Sequence, residues 1–444
     1  MSILRATTPA DRRARSAVVY GSAGTVVEWF DYGLYLYLVP VMAPLFFPSD
    51  DVIISAIASL GVFAAGSIMR IAGGAFFGSL GDRLGRKRAL VLSILMMTVP
   101  MALTAFLPVY AVVGIAAPLL FTAMRLIQGF SAGGEYSGTI VQLVEQAPPG
   151  KRGFVASTAV FTSGIGIILA SALVASLTTW TSADFMSDWG WRICYLVGGA
   201  LGLFALVMRR KMPETEEFLE EERDGDIPKQ PLRYALTHLP KQVIIAALLA
   251  GYGGILYYVV LGFVPTILDS FSEIQSDEAL WVTTGMTVVY AVATPAFGAL
   301  SDRWGRKRTL ITGAIGFVFL SIPMLWLMTH EGLIIIILGG LVLLTMLMLY
   351  TGPVVAAIGE EFPSKARYSA LAVGYNLGSA VLGGTAPLVA ALLINWFDTP
   401  VAASFLLVIA SIIAIPLLWR MKDRRGMTMD EINAEFDPQG ASTT

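Results

Sequence analysis

Long apolar runs separated by short polar loops dominate the chain. They fall near 17–43, 53–80, 88–107, 111–143, 153–178 and 190–209, then near 241–268, 280–300, 308–328, 332–357, 368–396 and 400–420. Each is long enough to cross a bilayer as a helix, which takes about 20 apolar residues. A membrane β-barrel would instead show weakly alternating segments of about ten residues. The pattern predicts an all-α membrane protein with twelve transmembrane helices in two six-helix bundles. The expected units are an N-terminal bundle (1–211), a polar linker (212–240), a C-terminal bundle (241–420) and a polar tail (421–444).

The two halves repeat. GSLGDRLGRKRAL at Gly78–Leu90 returns as GALSDRWGRKRTL at Gly298–Leu310, with each aligned residue offset by 220. Glycines there allow tight turning and close helix approach. An acid among them can accept from a nearby arginine or meet the positive N-terminal end of a neighbouring helix. Asp82, Arg83 and Arg86, with Asp302, Arg303 and Arg306, therefore read as a latch between halves; holding basic loops on one side is the simpler alternative.

Composition agrees with the membrane reading, since 56% of residues are hydrophobic and only 14% charged, against about a quarter charged in soluble domains. Lysine and arginine collect in the N-terminal segment, in every second loop and after the last span. The positive-inside rule makes that side cytoplasmic, with both termini inside. By this count only Arg70, Arg125 and Arg192 of the 30 cations stand elsewhere, and Arg192 reads as an outer anchor beside Trp189 and Trp191 in the aromatic belt. The acidic linker from Met212 to Pro240 reads as a solvated connection, the tail after Met421 as no domain, and the polar start as no cleavable signal.

Charges near the bilayer centre are costly enough to need partners or a wet cavity. Glu28 and Asp31 share one face of the first span. Arg70 lies on the second, and Arg125, Gln128 and Glu135 on the fourth. The second half offers aromatics and amides instead, among them Tyr257, Tyr258, Tyr290, Tyr375 and Asn376. A buried guanidinium suits a bidentate grip on a carboxylate, so Arg125 is the leading substrate candidate, with Arg70, Gln128, Tyr257, Tyr258 and Asn376 around it. Asp31, Glu28 and Glu135 are the candidates for carrying a proton; a structural ion pair is the alternative for each. The lone cysteine, Cys194, rules out an intrachain disulfide. No G-x-x-x-x-G-K-[ST] loop is present, so ATP is not the energy source. No metal-ligand cluster is visible either; no cofactor and no nucleic-acid partner are expected, and an ion gradient is left as the driving force.

The repeated G-x-L-x-D-R-x-G-R-K-R loop resembles the signature of the major facilitator superfamily, and RLIQGFSAGGEY (Arg125–Tyr136) resembles its fourth-helix motif. VVEWFDYGLYLY (Val26–Tyr37), the FFP of Phe46–Pro48, the WGWR of Trp189–Arg192 and PETEEF (Pro213–Phe218) are similar to the metabolite:proton symporter family. That family includes carriers for proline and betaine, 2-oxoglutarate, citrate and shikimate. The resemblance implies proton-coupled uptake by alternating access in the plasma, or inner, membrane, and a functional arginine at Arg125. The expected function is symport of a mono- or dicarboxylic acid by a monomer. The alternative is a proline- or betaine-type zwitterion, favoured by YTGPVV (Tyr350–Val355) and ARYSALAVGYN (Ala366–Asn376), although the coiled coil that the osmoprotectant carrier bears at its C-terminus is absent. A uniporter, an antiporter and a non-transporting sensor are weaker alternatives.

Overall fold

A computed structural model of the chain describes residues 9–50, 52–225, 227–271, 276–330 and 332–436. Among these residues the ordered elements are all helical, and twelve long helices match the twelve apolar runs. We number them α1 (Pro9–Phe46), α2 (Val52–Leu84), α3 (Arg86–Thr104), α4 (Ala116–Glu145), α5 (Arg152–Trp180) and α6 (Trp191–Arg210) in the first half. In the second half α7 runs Pro240–Tyr257 and continues through a π turn at Tyr258–Phe263 into Val264–Phe271. It is followed by α8 (Ser276–Trp304), α9 (Arg306–His330) and α10 (Leu333–Glu360). Finally, α11 runs Arg367–Gly378, a π turn at Ser379–Gly383, then Gly384–Phe397, and α12 is Ala403–Arg420. Ten of the twelve are long and apolar enough to cross a membrane by length and composition alone. The other two, α1 and α4, carry the charges Glu28, Asp31, Arg125 and Glu135, whose cost is met by pairing inside the bundle rather than by lipid.

The halves meet along two helix pairs, α2 against α11 and α5 against α8. The repeated glycines explain how close these pairs come. A Cβ on Gly78 would lie 2.7 Å from the Ser369 Cα, and one on its repeat mate Gly298 would lie 2.4 Å from the Gly153 carbonyl oxygen. Gly85 and Gly305 close the motif with φ of 99° and 102°, a conformation that side chains resist, and so turn the chain from α2 into α3 and from α8 into α9.

The linker departs from expectation, and among the described residues neither it nor the tail is a free, solvated segment. Thr215 caps a helix at Glu216–Asp224, and its Phe218 is buried beneath the Arg86 guanidinium, 5.3 Å from ring centroid to Cζ. In the tail, Thr428 and Glu431 exchange the two hydrogen bonds of a capping box at the start of Met429–Phe436. Met429 and Ile432 are buried there, and Asn433 accepts the Ser364 backbone N–H. Each segment also caps a long helix: Glu214 accepts the Lys87 N–H at the start of α3, and Asp423 the Arg306 N–H at the start of α9. Apolar anchors and capping carboxylates, rather than net charge, decide that both segments dock.

At the opposite end Arg192 donates to the Ala105 and Leu107 carbonyls and lies 4.2 Å from the Trp191 ring centroid. Trp191 is fully buried in the core with Phe46, while Trp189 is exposed. Only one of that tryptophan pair suits the aromatic belt.

Candidate functional site

The repeated loop makes the same cross-half contact twice. Asp82, on α2, accepts the backbone N–H of Tyr368 at 3.2 Å and of Ser369 at 2.8 Å, at the N-terminus of α11. Asp302, on α8, accepts those of Gly153 at 2.8 Å and Phe154 at 2.9 Å, at the N-terminus of α5. A carboxylate is suited to both places because the free N–H groups and the helix dipole favour negative charge there. Arg86 lies 3.7 Å from Asp82 and Arg306 2.7 Å from Asp302. Arg83 and Arg303, expected in the same latch, are instead exposed, and the Arg303 carbonyl accepts from Arg425.

Behind each latch stands a buried carboxylate between two arginines, one from each half. Glu145 bridges Arg86 and Arg367 at 3.2 and 3.1 Å. Glu360 bridges Arg306 and Arg152 at 3.2 and 3.1 Å. The sequence does carry a signal for these four partners, a Glu-x-x-Pro-x-x-x-Arg spacing at Glu145–Arg152 that returns at Glu360–Arg367, offset by 215. The linker helix packs on the first of these nodes. Burial, aided by the nearby Glu145 charge, raises Glu217 to about 8. Burial also raises Glu221 to about 7, with Arg86 opposing and Glu145 and Asp82 adding.

Inside the first bundle the expected charges form three separate clusters. Asp31 receives both Arg125 terminal nitrogens, at 2.9 and 3.1 Å, and the Gln128 amide at 2.9 Å. Tyr35 and Tyr195 flank that guanidinium, at 4.7 and 5.6 Å from ring centroid to Cζ. The group lines a small cavity of its own with Tyr32, Phe63 and Ser67. Arg125 is therefore held bidentately by a carboxylate of its own chain.

Glu28 pairs with Arg70 at 2.8 Å, and the Arg70 Nε donates to Asn376 Oδ1 across the halves at 3.2 Å. Asn376 in turn donates to the Gly133 carbonyl, at 2.8 Å. Glu135 stands apart from both pairs. Its partners are Arg209, in close contact, and the Ser93 hydroxyl at 2.5 Å; Arg209 also donates to Thr139 and to the Gly21 carbonyl. Arg209 belongs with the buried cations rather than with the loop cations among which its position at the end of α6 placed it.

A second cavity lies where the two halves face each other. Its walls are mainly aromatic: Trp29 and Tyr136 from the first half, Tyr257, Tyr258, Tyr290 and Tyr375 from the second. The rings form a connected wall, with centroids 6.1 Å apart for Trp29 and Tyr257, 5.7 Å for Tyr257 and Tyr290 and 5.2 Å for Tyr136 and Tyr375. Ser163, Thr351 and Ser379 supply hydroxyls to the same walls. The π turns of α7 and α11 begin at Tyr258 and Ser379, so both irregular stretches face this space. The Trp29 indole N–H is buried without a hydrogen-bond partner among the described residues. Such a wall can stabilise a cation through ring faces, and the orphan indole can donate to an anionic group, since it is a donor only. Of the expected substrate residues, Tyr257 and Tyr258 are here, whereas Arg125 and Gln128 are in the separate Asp31 cavity and Arg70 and Asn376 form a link between halves.

Comparison with known proteins agrees with this architecture. The family model described as Major Facilitator Superfamily matches residues 21–272 and 254–435. The glycine betaine/proline/ectoine/pipecolic acid transporter OusA of Dickeya dadantii is 31% identical over 91% of this chain and 82% of its own length. The proline/betaine transporter of Salmonella typhimurium is 32% identical over 90% of this chain and 82% of its own. Among solved structures, the proton:xylose symporter XylE bound to 6-bromo-6-deoxy-D-glucose is similar in fold, with a TM-score of 0.80 at 19% identity over 96% of this chain and 100% of that one. The inward-open xylose transporter from E. coli gives 0.67 at 20% identity over 95% and 99%. These matches, with the twelve helices, make the chain a multi-pass membrane transporter for a small molecule, not an enzyme. It belongs to the major facilitator superfamily and, within it, to the metabolite:proton symporter family.

Proposed function

We propose that this chain is a proton-coupled symporter of the plasma membrane that takes up a small zwitterion of the proline or betaine class by alternating access. The observation that carries the reading is the aromatic cavity between the halves, where ring faces suit a quaternary or secondary ammonium and the unpartnered Trp29 indole suits its carboxylate. The names of the related transporters point the same way. A mono- or dicarboxylic acid is no longer the favoured substrate, because Asp31 already holds both terminal nitrogens of the arginine that suggested it.

In this mechanism Asp31 takes up the proton. Protonation removes the charge that holds Arg125, and the pair exchanges partners as the loaded carrier rocks. Glu28 with Arg70 is the second titrating pair, placed where the Asn376 contact ties it to the other half. The face with the repeated loops is cytoplasmic, both termini lie on it, and the Asp82 and Asp302 latches hold it shut while the cavity awaits substrate. The working unit is the monomer, and the proton gradient is its only energy source.

Uptake of labelled glycine betaine and proline into proteoliposomes under an imposed pH gradient tests this. Accumulation should follow the gradient and collapse with a protonophore, and excess citrate or 2-oxoglutarate should not compete. Transport indifferent to the gradient would remove the proton from the mechanism, and competition by the dicarboxylates alone would restore the organic-acid reading.

A further inference from the structure

A third cavity, of about 390 Å³, lies between the start of α7 and the end of α12. Lys241, Arg420, Lys422 and Arg424 line it, against the single acid Glu361. Two of the cations are neutralised: Arg424 pairs with Glu361 at 2.9 Å and with Glu435 at 3.0 Å, and Lys422 pairs with Glu435 at 2.9 Å. Lys241 and Arg420 have no ion-pair partner among the described residues and stand exposed at its rim. The start of α7, which no side chain caps, adds the positive end of a helix dipole.

The surroundings say which anion would fit. Ile245, Leu417 and Met421 form the apolar part of the wall. Continuing along the same two helices toward the membrane centre, Ile244, Leu248, Ile412 and Ile413 are exposed on the outer surface. Trp419, 65% exposed beside Arg420, marks the membrane boundary at this level. Unpaired cations at the boundary with an apolar lane running inward match a phosphodiester headgroup whose acyl chains lie along α7 and α12. A free phosphate would use the cations and leave the lane empty.

We infer that the cavity between α7 and α12 is a binding site for the headgroup of an anionic phospholipid of the inner leaflet, gripped by Lys241 and Arg420. The inference rests on the membrane orientation given above and not on the transported substrate, so lipid retention and uptake can fail independently. The Arg424 pairs place this lipid beside Glu361, at the base of the loop from α10 to α11 that carries one latch, which ties headgroup occupancy to the closed face.

Native mass spectrometry of the full-length protein, after exchange from vesicles of equal phosphatidylglycerol and phosphatidylcholine, tests it. The wild type should retain phosphatidylglycerol preferentially, and Lys241→Gln with Arg420→Gln should lower that retention on the order of tenfold, given the attraction per cation near an anionic leaflet. Removing equal charge elsewhere on the same face, with Arg88→Gln and Arg308→Gln, should leave most of it. Equal retention of both lipids by the wild type, or equal loss in the two double variants, would overturn the site. Inorganic phosphate at millimolar concentration should neither raise the melting temperature nor displace the lipid, and a shift matching that of phosphatidylglycerol would overturn the lipid as the ligand. Should the glutamine pair fail to fold, the charge-preserving pair Lys241→Arg and Arg420→Lys must retain phosphatidylglycerol as the wild type does, and its loss there would count against the site.

Discussion

Asp82 and Ser369 are joined across the two halves by a 2.8 Å bond from the backbone N–H of one to the carboxylate of the other. The acceptor is charged and the donor belongs to a helix N-terminus, so Asp82→Asn removes the charge while keeping the side-chain size. Hydrogen bonds to charged groups contribute about 1.5–3 kcal/mol, so the balance between closed and open cytoplasmic faces should shift roughly 10- to 100-fold toward open. Asp302→Asn should act alike. Alkylation of a cysteine at Ser157, buried against Gly298, in a Cys194→Ala background reads the opening, and an unchanged rate would deny the latch.

Glu360 lies between Arg152 and Arg306, and all three are buried. Glu360→Gln leaves Arg152 without its buried carboxylate and Arg306 with Asp302 alone. Breaking a buried pair costs about 3–5 kcal/mol, so the variant should melt measurably lower and its closed state should be lost. Replacing Arg152 by Met in the same background should recover part of the stability, since the charge left without its carboxylate is then gone. No recovery would mean that this ion cluster adds little beyond packing.

The cross-half contact at Asp82 and Asp302 was legible in the sequence because its residues sit in a motif whose basic pattern repeats intact. Its second layer escaped because Glu145 and Arg367 repeat at a different offset and in a motif without a basic cluster. Arg209 was hidden by position. It is followed by Arg210 and Lys211, so it reads as one of three loop cations, and only the approach of α1 at Gly21 and Gly24 encloses it. The charges of α1, α2 and α4 were visible, but helical spacing does not say which of Glu28, Asp31 and Glu135 meets which arginine. The aromatic wall was least legible of all, since each tyrosine alone looks like packing and the cavity exists only where α1, α4, α7, α8 and α11 converge.

Trp29 and Tyr257, 6.1 Å apart from opposite halves, are the central rings of that wall. Cation–π contacts contribute about 0.5–2 kcal/mol, so Tyr257→Leu should raise the KM for betaine roughly 2- to 30-fold. Tyr257→Phe, which keeps the ring, should stay near wild type. Trp29→Phe keeps a ring but loses the indole donor, and should weaken carboxylate-bearing substrates more than choline, which has none. Uptake kinetics over this series decide it, and equal KM values for Tyr257→Leu and Tyr257→Phe would exclude ring-face recognition.

Asp31 holds Arg125 through two bonds, which makes the pair the place where losing one charge changes the most. Asp31→Asn cannot titrate. It should bind substrate and exchange it across the membrane at zero gradient while failing to accumulate it under a pH gradient. Counterflow and gradient-driven uptake, measured on the same proteoliposomes, separate the two steps. Accumulation at the wild-type level would move the coupling proton elsewhere, with Glu28 next in line.

The linker helix at Glu216–Asp224 packs on the Arg86 and Glu145 node through Glu217 and Glu221, both raised by burial, to about 8 and about 7. Undocked, either carboxylate titrates near its ordinary value of 4.5. A carboxylate raised in the docked state binds a proton more tightly there than when free. Its contribution to docking is complete below pH 4.5 and is lost progressively as pH rises through 7 and 8. Across that window the linker should loosen, with Phe218 the last contact to let go. Hydrogen exchange of the amides in Glu216–Asp224, corrected for intrinsic rates, should show protection falling from pH 4.5 to about pH 8 and level above it, and Glu217→Gln should flatten much of that fall because its amide stays neutral. Protection independent of pH in the wild type would mean that both carboxylates stay charged against the node, with Arg86 alone holding the helix in place.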